Sequence, residues 1–375
     1  MAQKPRQPHL PFLDWTRGLA AAVMLQGHTF HSFSRNDLRE QSAYVLSQFF
    51  GGIAPAIFLC LTGVTFAFLM ERNERRGLPL SRRWIEALKR SRYLLLIAVL
   101  FRLQLWVFAW GKSDWHDLFK VDVLNLMGVS MLLFSPLALL PLAERARTSA
   151  VAGVLIACAS PIMSVVDLSW MHPFLSAYLI PSYNTFSFFP WGAYIAFGIA
   201  GGTMLKACRP EHLDRFMQWG ALIGFGMVIC SQYFSNLPYT LYTKSEFWLN
   251  SPGLVFIKLG VVLLVSAFAF LWSERAWGMS WSWVRQLGTA SLLVYWVHIE
   301  LVYGRWFGSS KEKLDTWGCL VASALIMMLM VSLAFIKSWL TEARLAEAAR
   351  RLPTVRTGVH KAVALETSVV RRGAD

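Results

Sequence analysis

Apolar segments of bilayer length recur along nearly all of the 375-residue sequence, separated by short polar connections. This repetition leaves little choice of fold. Backbone polar groups inside hydrocarbon must be satisfied within the chain, and a run of about 20 apolar residues achieves this as a helix. The spacing predicts an all-α polytopic membrane protein, a bundle of about ten transmembrane helices, at 12–31, 47–70, 93–110, 122–143, 150–168, 187–205, 216–234, 251–273, 286–304 and 316–336. No internal repeat, low-complexity tract or composition break divides them.

Orientation follows from Lys and Arg, which favour cytoplasmic connections because positive segments are poorly translocated. With the N-terminus inside, the inner segments hold 25 of the 36 Lys and Arg, the outer loops 8, and Arg17, Arg102 and Lys258 lie within spans. Both termini are therefore expected in the cytoplasm. The organisation reads as a cytoplasmic N-terminal segment (1–11), a transmembrane domain (12–338) and a cytoplasmic tail (339–375). Within the tail, Trp339–Leu352 has an amphipathic pattern suited to the inner surface, and the stretch after Pro353 is polar. The net charge of +14 is thereby mostly topological, so no nucleic-acid partner is implied. Membrane lipid is.

The five cysteines lie in spans or on the inner side, so no disulfide framework is expected. The first apolar stretch contains Asp14 and Arg17 and lacks a small-residue cleavage site, so it reads as a retained span. Trp110, Trp115, Trp170, Trp248, Trp277, Trp283, Trp306 and Trp317 sit near span ends and read as interfacial anchors.

Ionisable residues within spans mark functional candidates, because hydrocarbon tolerates them poorly. The first span carries Asp14, Arg17, His28 and His31 within roughly a 100° arc. Arg17 and His28 are nearly in line, separated by about 16 Å of helix rise. Asp14 and Arg17, three apart, can form a local ion pair, and a positioned Arg beside a cytoplasmic entrance can also hold an anionic cofactor group. His28 can accept or donate a proton or act as a nucleophile near neutral pH; His31 shares its face. Arg102 in the third span has an expected partner in Asp122, which with Asn125 opens the fourth, either as an ion pair or as a substrate contact. The ninth span supplies His298 with Tyr295 on the same face, while Glu300 points elsewhere. Lys258 lies in the outer half of the eighth span. Tyr183, Asn184, Tyr239 and Tyr242 in the two long outer loops are suited to covering a polar ligand. No phosphate loop, dinucleotide fingerprint, HExxH or cysteine metal site is present, and no metal is expected.

At these residues the chain resembles the bacterial relatives of heparan-alpha-glucosaminide N-acetyltransferase, among the transmembrane acyltransferases. FLDWTRGLAAAVMLQGHTF resembles the family's opening helix, IAPAIFLCLTGVTFAF its second, WIEALKRSRYLLL the basic entry to its third, VDVLNLMGVSMLL the start of its fourth, and LGTASLLVYWVHIELVYG a late histidine-containing helix. The resemblance implies an integral, multi-pass enzyme of the bacterial inner membrane. It would move an acyl group, as acetyl-CoA or another acyl-CoA, from the cytosol to a hydroxyl or amine of an extracytoplasmic sugar or glycan. On this reading His28 is the catalytic histidine, as general base or transient acyl carrier. Asp14 and Arg17 form the inner, cofactor-binding motif, and Asp122, Asn125 and His298 support the outer site. His31, Arg102, Lys258 and Tyr295 are the substrate-binding candidates, with Asn125, Arg102 or Tyr295 as oxyanion donors. The large lumenal insertions of the lysosomal enzyme are absent, so heparan sulfate is not carried over. A homodimer is compatible with such an enzyme. Buried charges such as Arg102 and Lys258 equally suit a multi-pass transporter or permease of a small polar solute, and a non-catalytic envelope component is a third reading.

Overall fold

In the computed structural model, residues 10–239, 241–274 and 281–351 are described. They form an all-α bundle: α1 (Pro11–Phe33), α2 (Ser42–Gly51), α3 (Ala54–Arg75), α4 (Leu80–Phe108), α5 (Val123–Phe134), α6 (Leu142–Met163), the single turn α7 (Pro173–Ser176), α8 (Phe188–Ala207), α9 (Leu213–Ser235), α10 (Pro252–Ser273), α11 (Trp283–Thr289), α12 (Ser291–Tyr303) and α13 (Thr316–Arg351).

Among the described residues six helical stretches are long and apolar enough to cross a membrane: Ser42–Arg75, Leu80–Phe108, Leu142–Met163, Phe188–Ala207, Pro252–Ser273 and Thr316–Arg344. The other four expected spans also coincide with helices, but α1 is interrupted by its polar stripe and the segments Val123–Leu139 and Ser291–Tyr303 are short. α9 is the fourth; its exposed Trp219, Leu222, Ile223, Phe225 and Ile229 give it an apolar outer face, as α4 has in Leu96, Val99, Leu100 and Leu103.

Several boundaries differ from the sequence expectation for local reasons. The second span is two helices, broken at Gly52–Ile53 ahead of Pro55. The fourth ends as an α-helix at Phe134, where Pro136 cannot donate to the helix and a 3-10 turn over Ser135–Leu139 takes over. The expected inner loop at 144–149 is instead the start of α6, and its Arg145 is fully buried. The ninth span breaks at Ala290 into α11 and α12. From Trp339 the chain continues α13 to Arg351 without a new start, and the polar tail beyond lies outside the described residues. Trp110, Trp115, Trp170, Trp248, Trp283, Trp306 and Trp317 are exposed; Trp277 lies outside the described residues.

α1 occupies the middle of the bundle and packs on α2, α3, α10, α11, α12 and α13. Two glycine crossings fix it. At Gly18 and Gly288 the backbones touch so closely that a Cβ on Gly288 would stand 1.9 Å from the Asp14 carbonyl oxygen. At Gly27 a Cβ would stand 2.9 Å from Gly51 Cα, and Gln48 Nε2 donates to the Gly27 carbonyl at 3.0 Å. Small residues permit this approach where no hydrophobic drive separates protein from lipid. The consequence is positional, since one crossing adjoins Asp14 and Arg17 and the other adjoins His28.

Candidate active site

The polar stripe of α1 lines a cavity of about 700 Å3. Asp14, Arg17 and Arg90 stand at one end and His28 and Tyr303 at the other, with Met24, Phe58, Leu61, Leu94, Leu124 and Met127 among the apolar residues between them. Its size falls within the range of small-molecule sites. Arg17 Nη1 donates to Asp14 Oδ1 at 3.3 Å, so the local ion pair forms and Arg17 still lines the cavity.

At the far end, α1 and α12 place two imidazoles side by side. His28 Nδ1 and His298 Nε2 are 2.9 Å apart, with the rings stacked at 5.2 Å. His298 is fully buried and its Nδ1 lies 2.8 Å from the Val294 carbonyl, four residues back on α12. A carbonyl only accepts, so His298 Nδ1 carries the hydrogen. With both rings neutral, His298 Nε2 then accepts and His28 Nδ1 donates. The remaining lone pair of His28 is on Nε2, which has no partner in this chain of hydrogen bonds. Tyr303 packs edge-on to His28 at 5.3 Å, and its hydroxyl is hydrogen-bonded to His31 Nδ1 at 3.2 Å. His31 therefore acts on Tyr303 and is absent from the cavity wall.

Arg102 and Asp122 are paired as their neighbouring helices suggest. Arg102 Nε lies 3.3 Å from Asp122 Oδ2 and donates to the Lys120 carbonyl at 2.9 Å. Asp122 also caps α5, its Oδ1 accepting from Leu124 N at 2.9 Å and Asn125 N at 3.0 Å. Asp122→Ala removes the cap and strands a mostly buried guanidinium, and should lower stability by about 2 kcal/mol. Asp122→Asn keeps the capping oxygen and should lose less; equal melting temperatures for the two variants in detergent would count against the capping role.

Arg102, Asp122 and Tyr295 line a second cavity of about 410 Å3. Asn125 is buried and lines neither cavity. Lys258 is also apart: its Nζ lies over the Trp191 ring at 4.8 Å, and a Cβ on Gly52 would stand 3.9 Å from it. Tyr183 donates to Glu246 at 3.3 Å, and Tyr183, Asn184, Tyr239 and Tyr242 line neither cavity.

Two lining residues, Arg90 and Tyr303, are not singled out by the sequence. Arg90 was absorbed into the basic connection before the third span, although it stands one turn beyond Glu86 at the threshold of the apolar run. Tyr303 follows Tyr295 and Ile299 at intervals of four, a spacing that marks one helix face. Glu300 does point away from His298, but a cavity lies on that side too. Among the described residues no cluster of three or more His, Cys, Asp or Glu has metal-holding geometry.

The site thus combines membrane-length helices, a stacked histidine pair and a cavity that joins His28 to cationic residues. The family model described as heparan-alpha-glucosaminide N-acetyltransferase, catalytic, matches residues 10–230, and the chain belongs to that family of transmembrane acetyltransferases. The matched range includes His28, Arg17, Arg90 and Asp122 and stops before α12, so His298, Glu300 and Tyr303 join the site through tertiary structure. Comparison with curated proteins finds no match.

Proposed function

We propose that the protein transfers an acyl group, acetyl foremost, from cytosolic acyl-CoA to a hydroxyl or amine of a sugar or glycan on the opposite side of the bacterial inner membrane. The observation that carries this reading is the single cavity running from Arg17 and Arg90 to His28. Two guanidiniums at its mouth suit the phosphates of CoA, and the apolar middle suits the pantetheine arm. The excess of Lys and Arg on the segments beside that mouth supports a cytoplasmic entrance.

In the chemical step, the acceptor oxygen or nitrogen attacks the thioester carbonyl carbon while His28 Nε2 takes its proton. The C–S bond then breaks, and the departing thiolate takes that proton back, leaving acylated acceptor and free CoA. Tyr295, which lines the cavity with His28, is the phenol positioned to donate to the developing oxyanion. His298 holds the His28 ring and its tautomer. If His28 instead carries the acyl group, Nε2 attacks first and CoA leaves before the acceptor arrives.

Incubating purified protein with acyl-labelled CoA and an envelope glycan extract should label the glycan and release free CoA stoichiometrically. A burst of CoA without acceptor would mark the acyl-carrier route. Solute movement without CoA release would replace this reading by the permease one. Arg90→Ala should raise the KM for acetyl-CoA about tenfold, the loss of one charge-assisted contact, with kcat nearly unchanged. An unaltered KM would remove Arg90 from donor binding.

A further inference from the structure

The second cavity lies across a ridge from the first. Tyr295, Ile299 and Tyr303, one face of α12, form a wall common to both. Its other walls come from the last turns of α4 (Leu105, Trp106, Phe108) and the connection to α5. Within it stands Glu300, only 8% exposed. Oε1 accepts from Trp306 Nε1 at 2.9 Å and Oε2 from Gln104 Nε2 at 3.3 Å. Both partners are neutral, and no described Lys or Arg forms an ion pair with it. A buried carboxylate held by two neutral donors retains acceptor capacity on both oxygens; Lys311, whose ammonium donates to the neighbouring Tyr303 and Gly304 carbonyls, acts on it electrostatically without forming a direct ion pair. Trp106, whose ring lines the same chamber, keeps its Nε1 buried without a hydrogen-bond partner.

Resting on the proposed acyl transfer, we propose that this chamber seats the acceptor sugar and that Glu300 is its specificity-determining residue. The carboxylate takes the polar edge of the ring, hydroxyls or an ammonium, while Trp106 and Phe108 cover an apolar face. Tyr303 lines both cavities, and its ring centroid lies 5.3 Å from that of His28. An acceptor on Glu300 is therefore one side-chain rotation of Tyr303 from the base. The two cavities divide the labour, donor on the α1 side of the ridge and acceptor on the α4 side.

The test is equilibrium binding to the full-length protein in detergent, which requires no turnover. Methyl glucosaminide and methyl glucoside are titrated against tryptophan fluorescence, and acetyl-CoA binding is measured separately with labelled donor. Glu300→Gln should weaken sugar binding at least tenfold and abolish any preference for the amine, with the acetyl-CoA Kd within twofold of wild type. Retained donor binding also reports that the variant is folded. Ala109→Trp, which fills the chamber from the residue that caps α4, should weaken sugar binding in the same way. Sugar binding absent in the wild type, or unchanged in Glu300→Gln, overturns the assignment; so does a parallel loss of acetyl-CoA affinity, which would make Glu300 a structural residue. Failure of the acyl-transfer reading appears elsewhere, as a wild-type protein that binds no acetyl-CoA.

Discussion

His28→Ala lowers acyl transfer by about 10²–10⁴-fold, the contribution of a positioned general base, while acetyl-CoA binding persists because Arg17 and Arg90 remain. The expectation rests on the hydrogen-bond direction imposed by Val294: its carbonyl orients His298, and His298 leaves His28 with its lone pair on Nε2. His298→Ala should cost less than His28→Ala, since it removes the partner that orients the base and leaves the base itself. A His28→Ala protein with undiminished transfer would remove the imidazole from the mechanism. Equal losses in the two variants, with retained folding, would instead indicate that the pair acts as one unit.

The largest stability effect is expected at Arg145. Its side chain is fully buried; Nη2 lies 2.6 Å from Glu74 Oε2 and 2.9 Å from the Leu140 carbonyl, Nε donates to the Leu137 carbonyl at 3.2 Å, and Nη1 faces Glu71 Oε2 at 3.9 Å. Glu71 and Glu74 are further shared with Arg75 and Arg83. One guanidinium thus joins the end of α3, the turn after α5 and the start of α6. Arg145→Ala removes the cation and leaves Glu71 buried, a change that costs about 3–5 kcal/mol in comparable buried pairs. Arg145→Lys restores the charge without the planar fork and should recover only part of it. The melting temperature in detergent reads this directly. A variant that melts with the wild type would show that the network contributes nothing to stability.

The same residue shows where sequence reading stops. Arg145 is one of two basic residues in a connection that charge statistics place inside, and nothing local distinguishes it from Arg147. Arg147 is exposed and pairs loosely with Glu144, 3.6 Å away, whereas Arg145 is fully enclosed. Which of the two turns inward depends on the Glu71 and Glu74 carboxylates of a helix some seventy residues earlier. Glu300 is a similar case. Helical projection correctly directed it away from His298, but only the position of α4 makes that side a chamber.

What the sequence determined is carried by short-range rules: helical content from runs of apolar residues, and the Asp14–Arg17 pair and the alignment of Arg17 with His28 from helical period. The family was legible there too, in motifs from the opening helices. Tertiary structure decided which stripe meets which. His28 and His298 are 270 residues apart in sequence, and their contact depends on glycine crossings that hold α1 against α2 and α11, and on α12 packing beside them. Long-range proximity of this kind leaves no periodic signature in a single chain, because it is set by the fit of whole helix faces rather than by neighbouring residues. The membrane-length helices could be read in order; the site arose from how they pack.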